Sequence, residues 1–165
     1  MLEQKRDRIN QILNHPQFLE YVKQNKIEEQ ERIFCLHNVE HFLDVARIAY
    51  IKVLEEKIDI SKDILYAAAL LHDIGKHRQY QEGIPHEEES ARLSEQILEQ
   101  CGYEKEERHM IQQAIRNHRK KPTKESMPLE RILYEADKLS RLCLFCKAKS
   151  ECKWSDEKKN LEIRF

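Results

Sequence analysis

The sequence predicts an all-α protein, a single-domain helical bundle, and three observations support this. Apolar residues recur at spacings of three and four along nearly the whole chain, and no stretch alternates as a strand would. Only three glycines and four prolines occur in 165 residues, so little of the chain suits turns. The length fits one domain with a single core, and neither an internal repeat nor a long linker divides it.

Seven helices are predicted from this periodicity. In chain order they cover residues 2–13, 16–32, 36–57, 62–74, 86–101, 104–119 and 128–146. The first two make an N-terminal part, residues 1–34, that is expected to pack on a central region, residues 35–146. Residues 147–165 form a charged C-terminal tail with a cysteine cluster, in which a short helix could begin at Ser155.

Capping residues place the helix starts. Pro16 suits the first position of the second helix, after a break at residues 14–15. Ser61 is the expected cap of the fourth helix, and Ser126 is the expected cap of the last one.

Two glycines are expected to end helices. Gly75 follows the fourth helix, where a left-handed residue would close its C-terminus, and Gly102 follows the fifth. The polar stretch from Gly75 to Pro85 is predicted to be a loop, as are residues 120–124 around Pro122.

Composition narrows the class of protein. Lysine and arginine (29) nearly balance aspartate and glutamate (30), so no polybasic surface predicts nucleic-acid binding. No apolar run approaches the roughly 20 residues of a membrane span, and the N-terminus lacks a signal-peptide core. We therefore expect a cytoplasmic protein whose five cysteines are reduced thiols or metal ligands.

His72 and Asp73 form the most informative pair in the chain. They follow its most apolar stretch, residues 64–71, and lie just before Gly75. Asp73 would therefore lie in the last turn of a buried helix, where the helix macrodipole disfavours a carboxylate. Burying an anion there is costly unless a strong positive charge is close. A metal ion is the natural candidate, with the neighbouring imidazole as a second ligand.

Other titratable side chains lie on or beside helix faces that should point to the core. Singly, each has an ordinary explanation: a core histidine is usually hydrogen-bonded, and Asp137 could pair with Arg141 one turn later. A core seldom accepts four imidazoles and two carboxylates together without an ion. Such ligands suit two divalent transition-metal ions (Fe, Mn, Ni, Co or Zn) that share one carboxylate. The six residues are His41, His72, Asp73, His86, His118 and Asp137.

This ordered set resembles the ligand pattern of the HD-domain superfamily of metal-dependent phosphohydrolases. The phrases LLHDIGK and EADKLSR are similar to that family's segments around its metal ligands, and the likeness spans about residues 35–145. The resemblance is to the two-metal subset, which includes diadenosine-tetraphosphate hydrolases and cyclic-dinucleotide phosphodiesterases. It assigns His41, His72, Asp73 and Asp137 to the first ion, Asp73 as the bridge, and His86 and His118 to the second ion.

The resemblance implies hydrolysis of a phosphate ester or anhydride in a small phosphorylated molecule such as a nucleotide. Two divalent ions would lower the pKa of a bridging water, and the resulting hydroxide would attack phosphorus. Asp73 would act as the shared ligand, and Lys76 could contact a phosphate oxygen or merely compensate a helix end. His37, Arg119 and Arg141 are candidates for binding the substrate. A homodimer is compatible with the two N-terminal helices.

Two other functions fit the same ligand order. HD-type diiron oxygenases, which include myo-inositol oxygenase, act on a diol or a hydroxyphosphonate at an iron pair. A non-catalytic module could use the metals or a nucleotide for sensing, although erosion of the ligands would then be expected and all six are present. Phosphohydrolases are the commoner use of the motif, so hydrolysis is the favoured prediction.

Cysteines near the C-terminus form a second candidate site. Cys143, Cys146 and Cys152 combine a CxxC pair with a third cysteine six residues later. This spacing is typical of zinc or iron–sulfur ligation, and Cys35 or Cys101 could supply a fourth thiolate. The simpler explanation is that Cys143 and Cys146 are small buried apolar side chains and that Cys152 is there incidentally, without a metal or redox role.

The three remaining histidines do not belong to the ligand pattern. We expect His15, His77 and His109 to be exposed.

Overall fold

The most apolar segment of the chain forms the centre of the fold. In the computed structural model, which describes residues 7–164, the helix Lys62–Leu71 is surrounded by other helices. Its side chains from Ala67 to Leu71 are completely buried, as expected of a helix that is apolar on nearly every side. The helices are α1 (Arg8–Leu13), α2 (Pro16–Glu28), α3 (Val39–Glu56), α4 (Lys62–Leu71), α5 (Lys76–Glu82), α6 (His86–Gln100), α7 (Lys105–Asn117) and α8 (Pro128–Leu139).

The prediction of an all-α domain is confirmed. Residues 7–164 contain these helices and a short 3-10 helix, Cys143–Phe145, but no strand. Helix α4 contacts α1, α3, α6, α7 and α8, while α3 packs along α8 and α6 packs along α7. Across the described residues, no helix is long and apolar enough to cross a membrane.

The N-terminal helices belong to the same core. Ile12 of α1 and Phe18 of α2 are fully buried and pack with the side chains of α3 and α4. Residues 2–6 of the first predicted helix lie outside the described residues. Helix α2 ends at Glu28, four residues before the predicted end.

Two predictions for the segment after α4 are wrong. The helix ends at Leu71 and residues 72–75 form a turn, in which Gly75 has φ −88° instead of a left-handed conformation. A Cβ on Gly75 would lie 2.7 Å from the main-chain nitrogen of Ser90, so close packing against α6 is what excludes a side chain.

The predicted loop contains α5, which ends at the left-handed Gly83. The polar sequence of α5 does not predict a helix, because contacts with α2 and α6 stabilise this short helix.

The last helix is shorter than predicted. Helix α8 ends at Leu139, and the chain then runs without regular helix except for the 3-10 turn. The side-chain amide of Asn160 donates hydrogen bonds to the carbonyls of Lys138 (2.7 Å) and Arg141 (2.8 Å). The tail thus satisfies main-chain groups where the helix stops. The short helix predicted from Ser155 is a series of turns.

The start of α3 and the capping of two other helices differ from the prediction. Helix α3 begins three residues later than predicted, because the side chain of Asn38 accepts a 2.9 Å hydrogen bond from the main-chain N–H of His41. Ser61 occupies the cap position of α4 but makes no capping hydrogen bond with its side chain. Met127, and not Ser126, precedes α8.

Candidate metal centre

The fold brings the six predicted ligand residues together in the interior. They come from α3, from the turn after α4, from the first residue of α6, from the end of α7 and from α8. Five of them are buried, and the side chain of the sixth, Asp137, is 12% exposed. The residues are His41, His72, Asp73, His86, His118 and Asp137.

One cluster is formed by His41, His72, Asp73 and Asp137, whose ligand atoms lie within 4.8 Å of one another. The Nε2 atom of His41 is 3.3 Å from Asp137 Oδ1 and 3.7 Å from Asp73 Oδ2. The Nε2 atom of His72 is 3.2 Å from Asp73 Oδ2 and 3.6 Å from Asp137 Oδ1. Two imidazoles and two carboxylates therefore surround one point.

A second cluster is formed by Asp73, His86 and His118. The Nε2 atoms of His86 and His118 are 3.3 Å apart, and they lie 3.1 and 3.5 Å from Asp73 Oδ1. Asp73 thus directs Oδ2 to the first cluster and Oδ1 to the second. Two clusters that share one carboxylate are consistent with a binuclear metal site.

Hydrogen bonds at the other ring nitrogen orient three of the four imidazoles. Nδ1 of His72 and Nδ1 of His118 each lie 2.6 Å from a main-chain carbonyl, and Nδ1 of His86 lies 2.5 Å from Gln79 Oε1. A carbonyl oxygen can only accept, so it holds the proton on Nδ1 and leaves Nε2 of the neutral ring free to bind a metal. Ser140 Oγ takes the corresponding position 3.3 Å from Nδ1 of His41.

The polar atoms that face the centre fit a cation. His41 Nε2, His72 Nε2, Asp73 Oδ1 and Asp137 Oδ1 are buried and have no hydrogen-bond partner. Buried polar atoms of this kind are costly unless a ligand satisfies them. All four are imidazole nitrogen or carboxylate oxygen atoms, which are common metal ligands. Divalent metal ions would bind all four and balance the negative charge of the carboxylates, which a neutral ligand would not do.

The electrostatics of the first cluster lead to the same conclusion. Burial alone would raise the pKa of Asp73 and Asp137, but the surrounding imidazoles hold the pKa of both carboxyl groups well below the usual range. Burial would likewise lower the pKa of His72, yet the two carboxylates raise it to about 10. The two carboxylates therefore stabilise positive charge at this point, and a divalent ion bound there would supply that charge without a proton on His72.

The other predicted site residues lie at different distances from the centre. Lys76 Nζ is 3.2 Å from His86 Nδ1, and His37 Nε2 is 3.8 Å from Asp73 Oδ2. Arg141 is 4.0 Å from Asp137 Oδ1 and lines a cavity of about 700 Å³ beside the centre, together with His37 and His41. Arg119 is not brought into that cavity, because its exposed side chain extends to Glu87, 3.4 Å away.

Two polar residues that support the site were not predicted from the sequence. Glu29 accepts hydrogen bonds from the ring and the main-chain N–H of His37 and from the hydroxyl of Tyr80 (2.7 Å). Asn25 is fully buried and hydrogen-bonds to the turn that carries Asp73. Asn25 lies on α2 and Glu29 directly follows that helix, so both are outside the resemblance, and no apolar stripe or ligand spacing identifies them.

The expectation of exposure is wrong for two of the three remaining histidines. His15 is buried as the cap of α2, where Nδ1 accepts a hydrogen bond from the N–H of Gln17 and Nε2 contacts Gln100 Oε1 at 2.8 Å. His77 is buried and stacks on Tyr21. His109 is exposed, as predicted.

Comparisons with known proteins agree with this geometry. The HD domain family model matches residues 38–142, more than half of the chain. The chain is 49% identical over 159 residues to an uncharacterized protein of Clostridium beijerinckii, covering 96% of this chain and 99% of that one. A crystal structure of a predicted HD superfamily hydrolase from an uncultured Thermotogales bacterium has the same fold, with a TM-score of 0.63 and 24% identity over 87% of this chain and 80% of that one. The chain belongs to the HD domain family.

Proposed function

We propose that the protein is a phosphohydrolase that uses two divalent ions to cleave a phosphate ester or anhydride of a nucleotide or a related small molecule. The observation that carries this proposal is the Asp73 carboxylate, whose two oxygens face two separate ligand clusters. A shared carboxylate brings two ions close together, and paired ions suit phosphoryl displacement because they stabilise both the attacking and the leaving oxygen.

The two clusters divide the ligands between the ions. His41, His72, Asp73 and Asp137 would hold one ion, and Asp73, His86 and His118 would hold the other. Mixed imidazole and carboxylate ligands suit Mn, Fe, Co, Ni or Zn. When bound, such ions supply Lewis acidity toward a phosphoryl oxygen and lower the pKa of a water molecule toward neutrality.

Two cationic side chains beside the centre favour an anionic substrate. Lys76 lies next to His86 in the second cluster, and its ammonium group would act as a point charge on a phosphate oxygen. Arg141 is held by a 3.0 Å hydrogen bond to the carbonyl of Leu36, and its guanidinium can donate two parallel hydrogen bonds to a phosphate. Together they would orient a phosphoryl group toward the metal ligands.

His37 is placed to contact the substrate from the cavity side. It lines the cavity, and Glu29 fixes the orientation of its ring by binding Nδ1. The ring therefore presents one edge to the space between Asp73 and the cavity, where it would hydrogen-bond a phosphate oxygen or the leaving group.

The cavity itself suits a nucleotide-sized molecule. Its volume of about 700 Å³ lies in the range of small-molecule sites. Basic residues outnumber acidic ones in its lining, and apolar side chains complete the walls. The basic residues are Arg32, Arg141, Lys149, Lys153 and Lys159; the acidic ones are Glu40 and Asp44; Phe34, Leu142 and Trp154 are among the apolar ones.

Hydrolysis can be tested with metal-free protein reconstituted separately with Mn, Fe(II), Co, Ni or Zn. Nucleoside mono-, di- and polyphosphates, dinucleotides and simple phosphomonoesters are offered, and product release is measured. We expect hydrolysis of at least one of these substrates, its loss in Asp73→Asn, and its retention in Asp59→Asn, which changes an exposed acid before α4.

Failure to cleave any substrate with both ions bound would contradict the proposal. Oxygen consumption by the iron-loaded protein in the presence of a diol would instead favour the diiron oxygenase class. Tight binding of metal and nucleotide without turnover of any kind would favour a sensing module.

A further inference from the structure

Four of the five cysteines line the same cavity. Cys35 comes from the loop between α2 and α3, whereas the other three come from the irregular segment after α8. The fifth, Cys101, is buried at the end of α6 and does not line it. All five are free thiols. The cavity residues are Cys35, Cys143, Cys146 and Cys152.

The segment that carries three of these thiols buries little apolar surface. Residues 140–164 contain no regular structure beyond the 3-10 helix, and their buried apolar side chains are only Cys143 and Ala148. Leu142, Phe145 and Ile163 are 64%, 75% and 81% exposed. A cross-link to the rest of the chain, either a disulfide or a metal, would stabilise such a segment, as it does in small domains that have little core. No disulfide is present, so the thiols are the candidates for the cross-link.

The spacing of the thiols distinguishes between a single ion and a larger group. A zinc ion with four thiolates places the sulfurs roughly 3.8 Å apart, given Zn–S bonds of about 2.3 Å in a tetrahedron. In the described part of the chain, no three of these thiols lie within 4.8 Å of one another, whereas the His and Asp ligands do. The thiols therefore share one cavity without forming the compact set that a single zinc ion needs. An iron–sulfur cluster is also held by four cysteine thiolates, but it places several iron and sulfide ions between them.

The thiols are nevertheless neighbours. Burial raises the pKa of Cys35, and the nearby thiols of Cys143, Cys146 and Cys152 raise it further. Arg141 has the opposite effect and lowers this pKa. The CxxC pair is folded into a turn in which the N–H of Cys146 donates a 3.1 Å hydrogen bond to the carbonyl of Cys143. This turn brings two of the ligands to the same side of the chain.

The charge of the cavity wall matches an iron–sulfur group. Four thiolates around such a cluster give it net negative charge, which is costly to bury without cations nearby. Arg32, Arg141, Lys149 and Lys153 line the same cavity and would compensate it.

We propose that Cys35, Cys143, Cys146 and Cys152 ligate an iron–sulfur cluster that joins the C-terminal segment to the loop between α2 and α3. The cluster would lie at the cavity that His37 and His41 also line, and its four ligands are distinct from those of the centre around Asp73. Its role is structural, because it fixes the segment that follows Arg141. The site does not depend on hydrolysis by the His and Asp residues.

The test is made on full-length protein produced and purified without oxygen. Iron, acid-labile sulfide and zinc are measured per chain, together with the visible absorption spectrum. Labile sulfide distinguishes a cluster from iron in the His and Asp centre, which contains no sulfide. We expect sulfide and a sulfur-to-iron absorption band in the wild-type protein and in His72→Ala. Both signals should be lost in serine variants of the four cysteines and retained in Cys101→Ser.

Alkylation of the wild-type protein tests the proposal even if the serine variants fail to fold. Alkylation followed by mass spectrometry should show Cys35 and Cys152 protected until a chelator removes the iron, and reactive afterwards. One zinc per chain bound by these thiols without sulfide would overturn the proposal. A disulfide in the protein as purified, or equal alkylation before and after chelation, would overturn it as well.

Discussion

The side-chain amide of Asn25 donates a 2.9 Å hydrogen bond to the main-chain carbonyl of Asp73. The amide oxygen of the same side chain accepts a 2.8 Å hydrogen bond from the main-chain N–H of His77. Asn25 is fully buried, and its helix lies outside the residues that match the HD domain. One residue of α2 therefore binds both the turn that carries Asp73 and the first turn of α5, so α2 supports the candidate metal centre.

Replacement of Asn25 should weaken both the fold and the metal centre. In Asn25→Leu the N–H of His77 loses its partner and the carbonyl of Asp73 keeps only the N–H of Lys76 (3.1 Å), so we expect the free energy of unfolding to fall by about 1–3 kcal/mol. Urea denaturation of the metal-free protein measures this, and titration with Mn²⁺ should show weaker binding. Lys26→Leu, an exposed change on the same helix, should alter neither quantity measurably. Equal effects of the two variants would contradict the supporting role of Asn25.

The six candidate ligands could be predicted from the sequence because each is costly where it occurs. A histidine or aspartate on an apolar helix face needs a compensating partner. The sequence shows such a residue directly, because it interrupts the helical spacing of apolar residues. Asn25 and Glu29 gave no such signal, because their partners are 48 and 8 residues away and are partly main-chain groups. The helix α5 was missed for a related reason: contacts with α2 and α6 determine it, and its own polar sequence does not.

Gly75 should be intolerant of even the smallest side chain. A Cβ there would lie 2.7 Å from the main-chain nitrogen of Ser90 and 3.0 Å from the carbonyl carbon of Glu89, so α6 would have to move and carry His86 with it. We expect Gly75→Ala to cost about 1–3 kcal/mol and to weaken binding at the second cluster. Thermal unfolding and metal titration measure the two effects.

Gly83 offers a matched control for that substitution. It has φ +71° and open space around its Cβ position. Gly83→Ala should therefore cost about 1–2 kcal/mol through backbone strain alone and leave metal binding unchanged. If Gly83→Ala weakened metal binding as much as Gly75→Ala does, close packing against α6 would not be the cause.

The number of bound ions should depend on which ligand is removed. Asp73 contributes to both clusters, so Asp73→Ala should lose both ions, whereas His118→Ala should lose only the ion of the second cluster. Titration with Mn²⁺ is suitable because thiolates favour softer metals and the cysteines should not compete for it. His109→Ala, an exposed histidine, should still bind two ions. Loss of both ions in His118→Ala would show that the two clusters do not bind independently.

Arg8 should make stability depend on pH through two carboxylates. It donates hydrogen bonds to Asp63 (2.7 Å) and to Glu107 (2.6 and 2.9 Å), and thereby joins α1 to α4 and α7. Burial raises the pKa of Asp63, but the bonds from Arg8 outweigh this and lower it; the same side chain lowers the pKa of Glu107. A carboxyl group whose pKa is lower in the folded than in the unfolded protein adds stability above its unfolded pKa, and that stability is lost as the pH falls through the folded pKa.

Replacement of Arg8 should therefore destabilise the protein near neutral pH much more than in acid. We expect Arg8→Ala to lower the free energy of unfolding by about 2 kcal/mol at neutral pH. The difference from the wild-type protein should shrink as the pH falls from about 5, because the carboxylates become protonated in both folded proteins.

Arg8 also lies over the ring of Tyr103, and the loss of that contact should contribute equally at every pH. Urea denaturation at a series of pH values measures the difference, and Arg47→Ala, whose partner Asp44 is exposed, should show none. A difference between wild type and Arg8→Ala that stayed constant with pH would assign the effect of Arg8 to Tyr103 and not to the carboxylates.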